Sequence, residues 1–276
     1  MTGEAPGGVG RLVEKGLLRD RLIMVLGLLA LTLLAWAYLL TGAGTGMSVR
    51  AMTTWSFPPP MRPAMAMAWS PAYWLIMFLM WWIMMIAMMT PSAAPMVLLH
   101  ARVSRHQQAR GRMAVAPVPT AAFFFGYLAA WAGFSALATV AQWSLERAGL
   151  VHGMLMWSSN RTLSAGLLLA AGIYQLSPWK RVCLEHCRSP AEYLSRHWRP
   201  GDLGAFRMGL THGAYCLGCC WVLMALLFVG GTMNLVWIAG LGALVLGEKL
   251  LPFGSRLAQG LGVVMIVAGA ALLLPV

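Results

Sequence analysis

The sequence predicts an all-α, polytopic transmembrane helical bundle of about seven spans, N-in and C-out, and three observations carry that prediction. Apolar residues make up 59% of the 276, charged residues only 10%, and the mean hydropathy is +0.71, far from the values of a soluble domain of this length. The apolar residues fall in runs close to the roughly 20 needed to cross a bilayer core of about 30 Å. The 20 basic residues, against 8 acidic ones, gather in short segments between those runs, where they orient the chain and meet anionic headgroups. The net charge of +12 therefore implies a lipid bilayer as partner. Without aromatic interleaving, the basic segments do not read as a nucleic-acid surface.

The elements follow in order. Residues 1–21 form a cytoplasmic N-terminal segment that opens on a disordered lead, MTGEAPGGVG. Residues 22–276 form one transmembrane helical domain. The run at 22–40 is too long for a signal-peptide core and no small-residue cleavage site follows it, so it is retained as a first span. Further spans are expected at 72–99, 120–145, 161–176, 207–229, 232–247 and 254–274; the fourth and sixth are short, and dropping one would leave six. Pro91 and Pro95 are expected to kink or end the second.

Lysine and arginine in the loops set the orientation. Arg11, Lys15, Arg19 and Arg21 precede the first span. Arg102, Arg105, Arg110 and Arg112 follow the second, Lys180, Arg181, Arg188, Arg196 and Arg199 follow the fourth, and Lys249 and Arg256 follow the sixth. In a seven-span chain all lie on one side, which makes that side cytoplasmic. His100 and His106 are expected to be solvated in this basic zone. The opposite loops, 41–71 and 146–160, are rich in Gly, Pro, Met and Trp.

The residues with the most chemistry lie in THGAYCLGCCW. His212, Cys216 and Cys220 run i, i+4, i+8 with Cys219 three beyond Cys216, so on a helix all four share an arc of roughly 100°. Thiolates and imidazole suit copper(I) or zinc, whereas hard cations want carboxylates, which the spans scarcely offer. Thiol redox chemistry and plain small-residue packing are the competing readings. A second cluster, Cys183, His186 and Cys187, lies in the cytoplasmic Cys/His segment at about 178–206, where nearby arginines are expected to lower the thiol pKa. Five cysteines in a reducing or buried setting argue against a disulfide framework.

Twelve of the 21 methionines fall between Met47 and Met96. Met77, Met80, Met84 and Met88 keep helical spacing and suggest a soft-metal relay, although such a stripe also fills core. Met47, Met52, Met61, Met65 and Met67 of the outer loop are expected to face solvent. His152, with Met154 and Met156, is a weaker outer-face candidate. Gln175 and Asn234 are candidates for interhelical hydrogen bonds. Glu248 is expected to pair with a cytoplasmic basic residue, or, with Asn234, to support the metal ligands. No phosphate loop, serine nucleophile or carboxylate relay is present, and no catalytic residue is assigned.

The blocks MMIAMMTPSAAPM, YQLSPWKRVCLEHCRSP, GLTHGAYCLGCCWVLM and GTMNLVWIAGLGALVLGEKLLP resemble, in this order, a bacterial family of integral membrane proteins described as metal-binding domains of unknown function. The resemblance covers about residues 71–260. It implies a polytopic bundle, metal binding in a bacterial inner membrane and a membrane or periplasmic protein partner; the soft donor set points to copper or zinc as the cofactor rather than haem. The function expected is metal acquisition, delivery or metalloenzyme assembly. An accessory subunit of a larger membrane complex and a membrane thiol-disulfide oxidoreductase are the alternatives.

Overall fold

The computed structural model describes residues 8–57, 59, 60, 65, 67–109 and 118–274. Met61, Arg110 and Arg112 lie outside the described residues, as do residues 1–7 of the N-terminal lead. Helices succeed one another in the order α1 (Gly8–Leu40), α2 (Val49–Met52), α3 (Pro71–Ala109), α4 (Val118–Arg147), α5 (Arg161–Leu176), α6 (Pro178–Arg188), α7 (Pro190–His197), α8 (Gly201–Ala225), α9 (Leu227–Gly230), α10 (Leu235–Leu250) and α11 (Gly254–Leu273). Among the described residues, the only β pairing is an isolated bridge between Val151 and Ser158.

Five stretches are long and apolar enough to cross a membrane: Arg21–Leu40, Pro71–Gln108, Pro119–Arg147, Gly201–Gly230 and Gly254–Leu273. The fourth and sixth expected spans are also helices, but α5 and α10 have 16 residues each, about 24 Å of helix against a core of about 30 Å.

Local chemistry sets the ends. Asn160 caps α5 by accepting from Leu163 N at 2.9 Å, and Ser177 followed by Pro178 ends α5 and starts α6. Asn234 caps α10 through Val236 N at 3.1 Å, after a turn in which Gly231 takes φ +103°. This moves the sixth helix three residues beyond its expected start. The Cys/His segment expected at about 178–206 folds as two short amphipathic helices, α6 and α7, followed by the start of α8.

Two readings on α3 are overturned, an end of the helix at its prolines and a solvated His100. The helix does not end at Pro91 and Pro95 but runs on to Ala109. Hydroxyls of Ser92, on α3 itself, and of Tyr127, on α4, both donate to the Met89 carbonyl, two residues before the first proline. His100 is not solvated: it is fully buried on α3, stacked on Phe123 at 4.7 Å and within 3.3 Å of Thr120 Oγ1. His106 is exposed as expected.

Large apolar side chains point outward from α1, α4, α5 and α11, among them Leu34, Leu137, Ile173 and Val264. The interior is built from methionine, tryptophan, cysteine and a few polar groups gathered by α3, α4, α8 and α10. That is the arrangement of a helix bundle whose solvent is lipid.

Candidate metal centre

Helix α8 carries His212, Cys216, Cys219 and Cys220, all at most 3% exposed. It reaches that depth because α4 approaches closely: a Cβ on Gly209 would collide with the Phe123 backbone, and one on Gly213 with Ala130 Cβ at 2.6 Å. On the far side α6 lies against Gly218, where a Cβ would stand 2.8 Å from Cys183 Sγ. Tyr174 of α5 donates to the Gly218 carbonyl.

Cys216 is the node. Its sulfur lies 3.2 Å from Tyr127 Oη and 2.8 Å from Lys249 Nζ. The Cys187 thiol, arriving from α6, hydrogen-bonds with Cys216 and Cys219. Cys219 and Cys220 turn their thiols onto the Cys216 carbonyl at 3.0 and 2.9 Å. All five cysteines are free thiols. Cys216, Cys219 and Cys220 are thus buried together on α8, with the half-buried Cys187 of α6 beside them. Among the described residues, however, no three His, Cys, Asp or Glu side chains stand in a ready-made ligand arrangement. A third thiol ligand beyond Cys187 and Cys216 requires Cys219 or Cys220 to leave the carbonyl by a side-chain rotation.

The arginines do not lower the thiol pKa on α6, because both thiols turn inward. Hydrogen bonding to Cys216 and Cys219, with burial, holds Cys187 well above the usual thiol range. Burial, with Cys219 nearby, raises Cys183.

The two histidines of the expected clusters stand apart from the sulfurs. His212 lies among the rings of Phe123, Tyr127 and Tyr193, 5.5 to 6.1 Å between centroids, with Nδ1 buried and unpartnered. His186 points away from Cys187. It stacks on Tyr215 at 4.4 Å, takes Val182 O as the partner of Nδ1, and lines a cavity of about 160 Å³ with Tyr193 and His197.

Met77, Met80, Met84 and Met88 form a fully enclosed row on α3, 0 to 3% exposed, about 16 Å long. Its far end meets a polar cluster. Gln142 Nε2 is 3.5 Å from Met77 Sδ and 3.0 Å from Glu146 Oε1, and Trp69 Nε1 donates to Glu146 Oε2 at 2.9 Å. Glu146 is 3% exposed, so the spans do hold a buried carboxylate the sequence was not expected to offer. The near end of the row adjoins Tyr127 and Ser92, which lead to Cys216 and Lys249. In the outer loop Met65 is exposed, Met47 and Met67 are half-buried, and Met52 is wholly buried. Met52 is therefore core, corrected from a solvent-facing position. His152 is buried, with Nδ1 accepting from Met154 N and Leu155 N at 3.2 Å.

Glu248 does pair with a basic residue, Lys180, at 2.6 Å, and both are 1% exposed. Gln175 bridges them, donating to Glu248 Oε1 at 2.8 Å and accepting from Lys180. Asn234 lies at the opposite end of α10, about 22 Å from Lys249 along the axis. There it donates to Thr54 O and Gly230 O, so it supports the helix start and not the thiols. Sequence reasoning missed Lys249 as a member of the centre, reading it only as a topology charge. Its one signal was a place inside the last turn of an apolar helix.

The PpoB2 family, described as a copper chaperone, matches residues 78–272. The chain belongs to the PpoB2 copper chaperone family. That match spans the whole thiol cluster, Lys249 and all of the methionine row except Met77, and gives this PpoB2 chain a copper-related role. No curated protein and no solved structure matches it. The donor set of this PpoB2 chain suits such cargo: thiols and thioethers are soft ligands for Cu(I).

Proposed function

We propose that the chain is an integral membrane copper chaperone that holds Cu(I) at the Cys187, Cys216, Cys219 and Cys220 cluster and passes it to a partner metalloprotein. One observation carries this reading. Thiols from two separate helices, Cys187 of α6 and the buried Cys216, Cys219 and Cys220 of α8, gather beside Lys249 and near the end of an enclosed thioether row. Cu(I) is satisfied by two or three soft ligands, so a pair of thiols released from their hydrogen bonds suffices. Met77, Met80, Met84 and Met88 form the relay toward the outer face. Cys183 and His186 stand at the cytoplasmic mouth, and His212, with its free Nδ1, is the reserve imidazole. Copper is favoured over zinc because thioethers contribute little to zinc binding. In this reading α5 and α10 complete seven spans in a bacterial inner membrane, N-in and C-out, as one transmembrane domain.

The test is the metal content of protein purified from copper-supplemented cells. Wild type retains about one copper per chain, and C187S and C216S each lower it at least about tenfold. Those two residues lie on different helices, so loss with both identifies a shared site. Wild type emerging free of copper overturns the proposal.

A further inference from the structure

Lys249 is the part of the centre that the donor set does not explain. It is 7% exposed, with its ammonium 2.8 Å from Cys216 Sγ and 3.3 Å from Ser92 Oγ. Among the described residues no carboxylate pairs with it. The adjacent Glu248 turns to Lys180 instead, at 2.6 Å. The two lysines thus sit beside the same helix end with opposite arrangements, one matched by a carboxylate and the other by sulfur. A buried ammonium needs a negative partner. The group placed to supply one is the Cys216 sulfur, 2.8 Å from the ammonium, on the helix that also carries Cys219 and Cys220.

We infer that Lys249 is the residue that selects the charge of the metal: its fixed positive charge makes the cluster neutral with a monovalent ion on two thiolates. This rests on the copper reading above. The balance is simple. Each thiol that ligates gives up its proton to bulk water, two thiolates bring two negative charges, and Cu(I) and the ammonium cancel them. A divalent ion on the same two thiolates leaves one positive charge uncompensated in a low-dielectric interior. Neutrality then requires a third thiol to be ionised in the same apolar setting, and Cys219 and Cys220 are both engaged with the Cys216 carbonyl. Without the ammonium the preference reverses, because Zn(II) on two thiolates is neutral and Cu(I) leaves a buried negative charge. Lys249 is a specificity residue acting through the field at Cys216 and need not touch the metal.

The experiment measures Cu(I) and Zn(II) affinities of the full chain in detergent, each against a chromophoric chelator of known affinity. Wild type, K249M, K249Q and K249R are compared. K249Q keeps a hydrogen-bonding group for Ser92 and loses only the charge, so it serves where K249M does not fold. The neutral variants are expected to lower the Cu(I)-to-Zn(II) affinity ratio at least about 100-fold, through weaker Cu(I) and stronger Zn(II) binding. K249R is expected to stay within about threefold of wild type. An unchanged ratio in the neutral variants overturns the inference while leaving the copper reading standing. So does a K249R ratio that collapses with theirs, since that would assign the effect to shape. Wild type that binds no Cu(I) overturns both.

Discussion

Replacing Glu248 with glutamine removes the carboxylate from a pair in which both side chains are 1% exposed and the charged atoms are 2.6 Å apart. At an effective dielectric of about 20, two unit charges at that separation attract by about 6 kcal/mol. The cost of drying both ions offsets most of that, so the pair itself is close to neutral in stability. Removing one member exposes the cost: E248Q strands the Lys180 ammonium, and a loss of about 3–5 kcal/mol is expected. The double variant K180M/E248L removes both charges and is expected to lie within about 1–2 kcal/mol of wild type. Equilibrium unfolding in mixed micelles, followed by tryptophan fluorescence, measures all three. The pair also ties α6, the source of Cys187, to α10, the source of Lys249, so E248Q is expected to retain less copper with its free thiol count unchanged. A loss below about 1 kcal/mol in E248Q, or a double variant as unstable as E248Q, refutes the reasoning.

Two further outcomes follow from packing and from thiol chemistry. G209A places a Cβ against the Phe123 backbone and is expected to cost about 1–3 kcal/mol as α4 and α8 part. G133A, which meets nothing within 4 Å, is expected to be neutral or to gain about 0.5–1 kcal/mol; thermal unfolding in detergent separates the two. Because burial raises the Cys183 pKa above its ordinary 9.0, its thiolate fraction at pH 7.5 is lower than that of a free thiol. Alkylation by iodoacetamide, followed by mass spectrometry, is expected to be slow there and to rise about tenfold per pH unit. A plateau below pH 9 counts against the inward orientation of that thiol.

Local signals carried much of this fold. Residues 161–176 were legible to the residue as an apolar run, and the structure ends that run on short-range chemistry, an Asn160 cap and Ser177-Pro178. The face shared by Cys216, Cys219 and Cys220 followed from helical spacing alone, and their depth from the hydropathy around them. The partners were not legible, because they come from other helices. Cys187 reaches Cys216 while its neighbour His186 turns to Tyr215, a division fixed by how α6 rolls on Gly218. Lys249, Lys180, Glu146 and His100 read as flanking or solvated polar residues because a sequence gives position along a helix and not what the neighbouring helix presents. Pro91 and Pro95 read as a kink or an end because a sequence does not show that the neighbouring helix packs there, where Tyr127 of α4 donates to the Met89 carbonyl.

The passage of α3 through those two prolines also has a mechanical side. Its 39 residues make a rod of about 58 Å, and each proline removes one rung of its hydrogen-bond ladder. The rod therefore bends most easily at one joint. That joint holds Met89 and Ser92, which bear on Tyr127 and Lys249 and through them on Cys216. The part of α3 with the fewest ladder hydrogen bonds is therefore also the part in contact with the groups around the Cys216 sulfur.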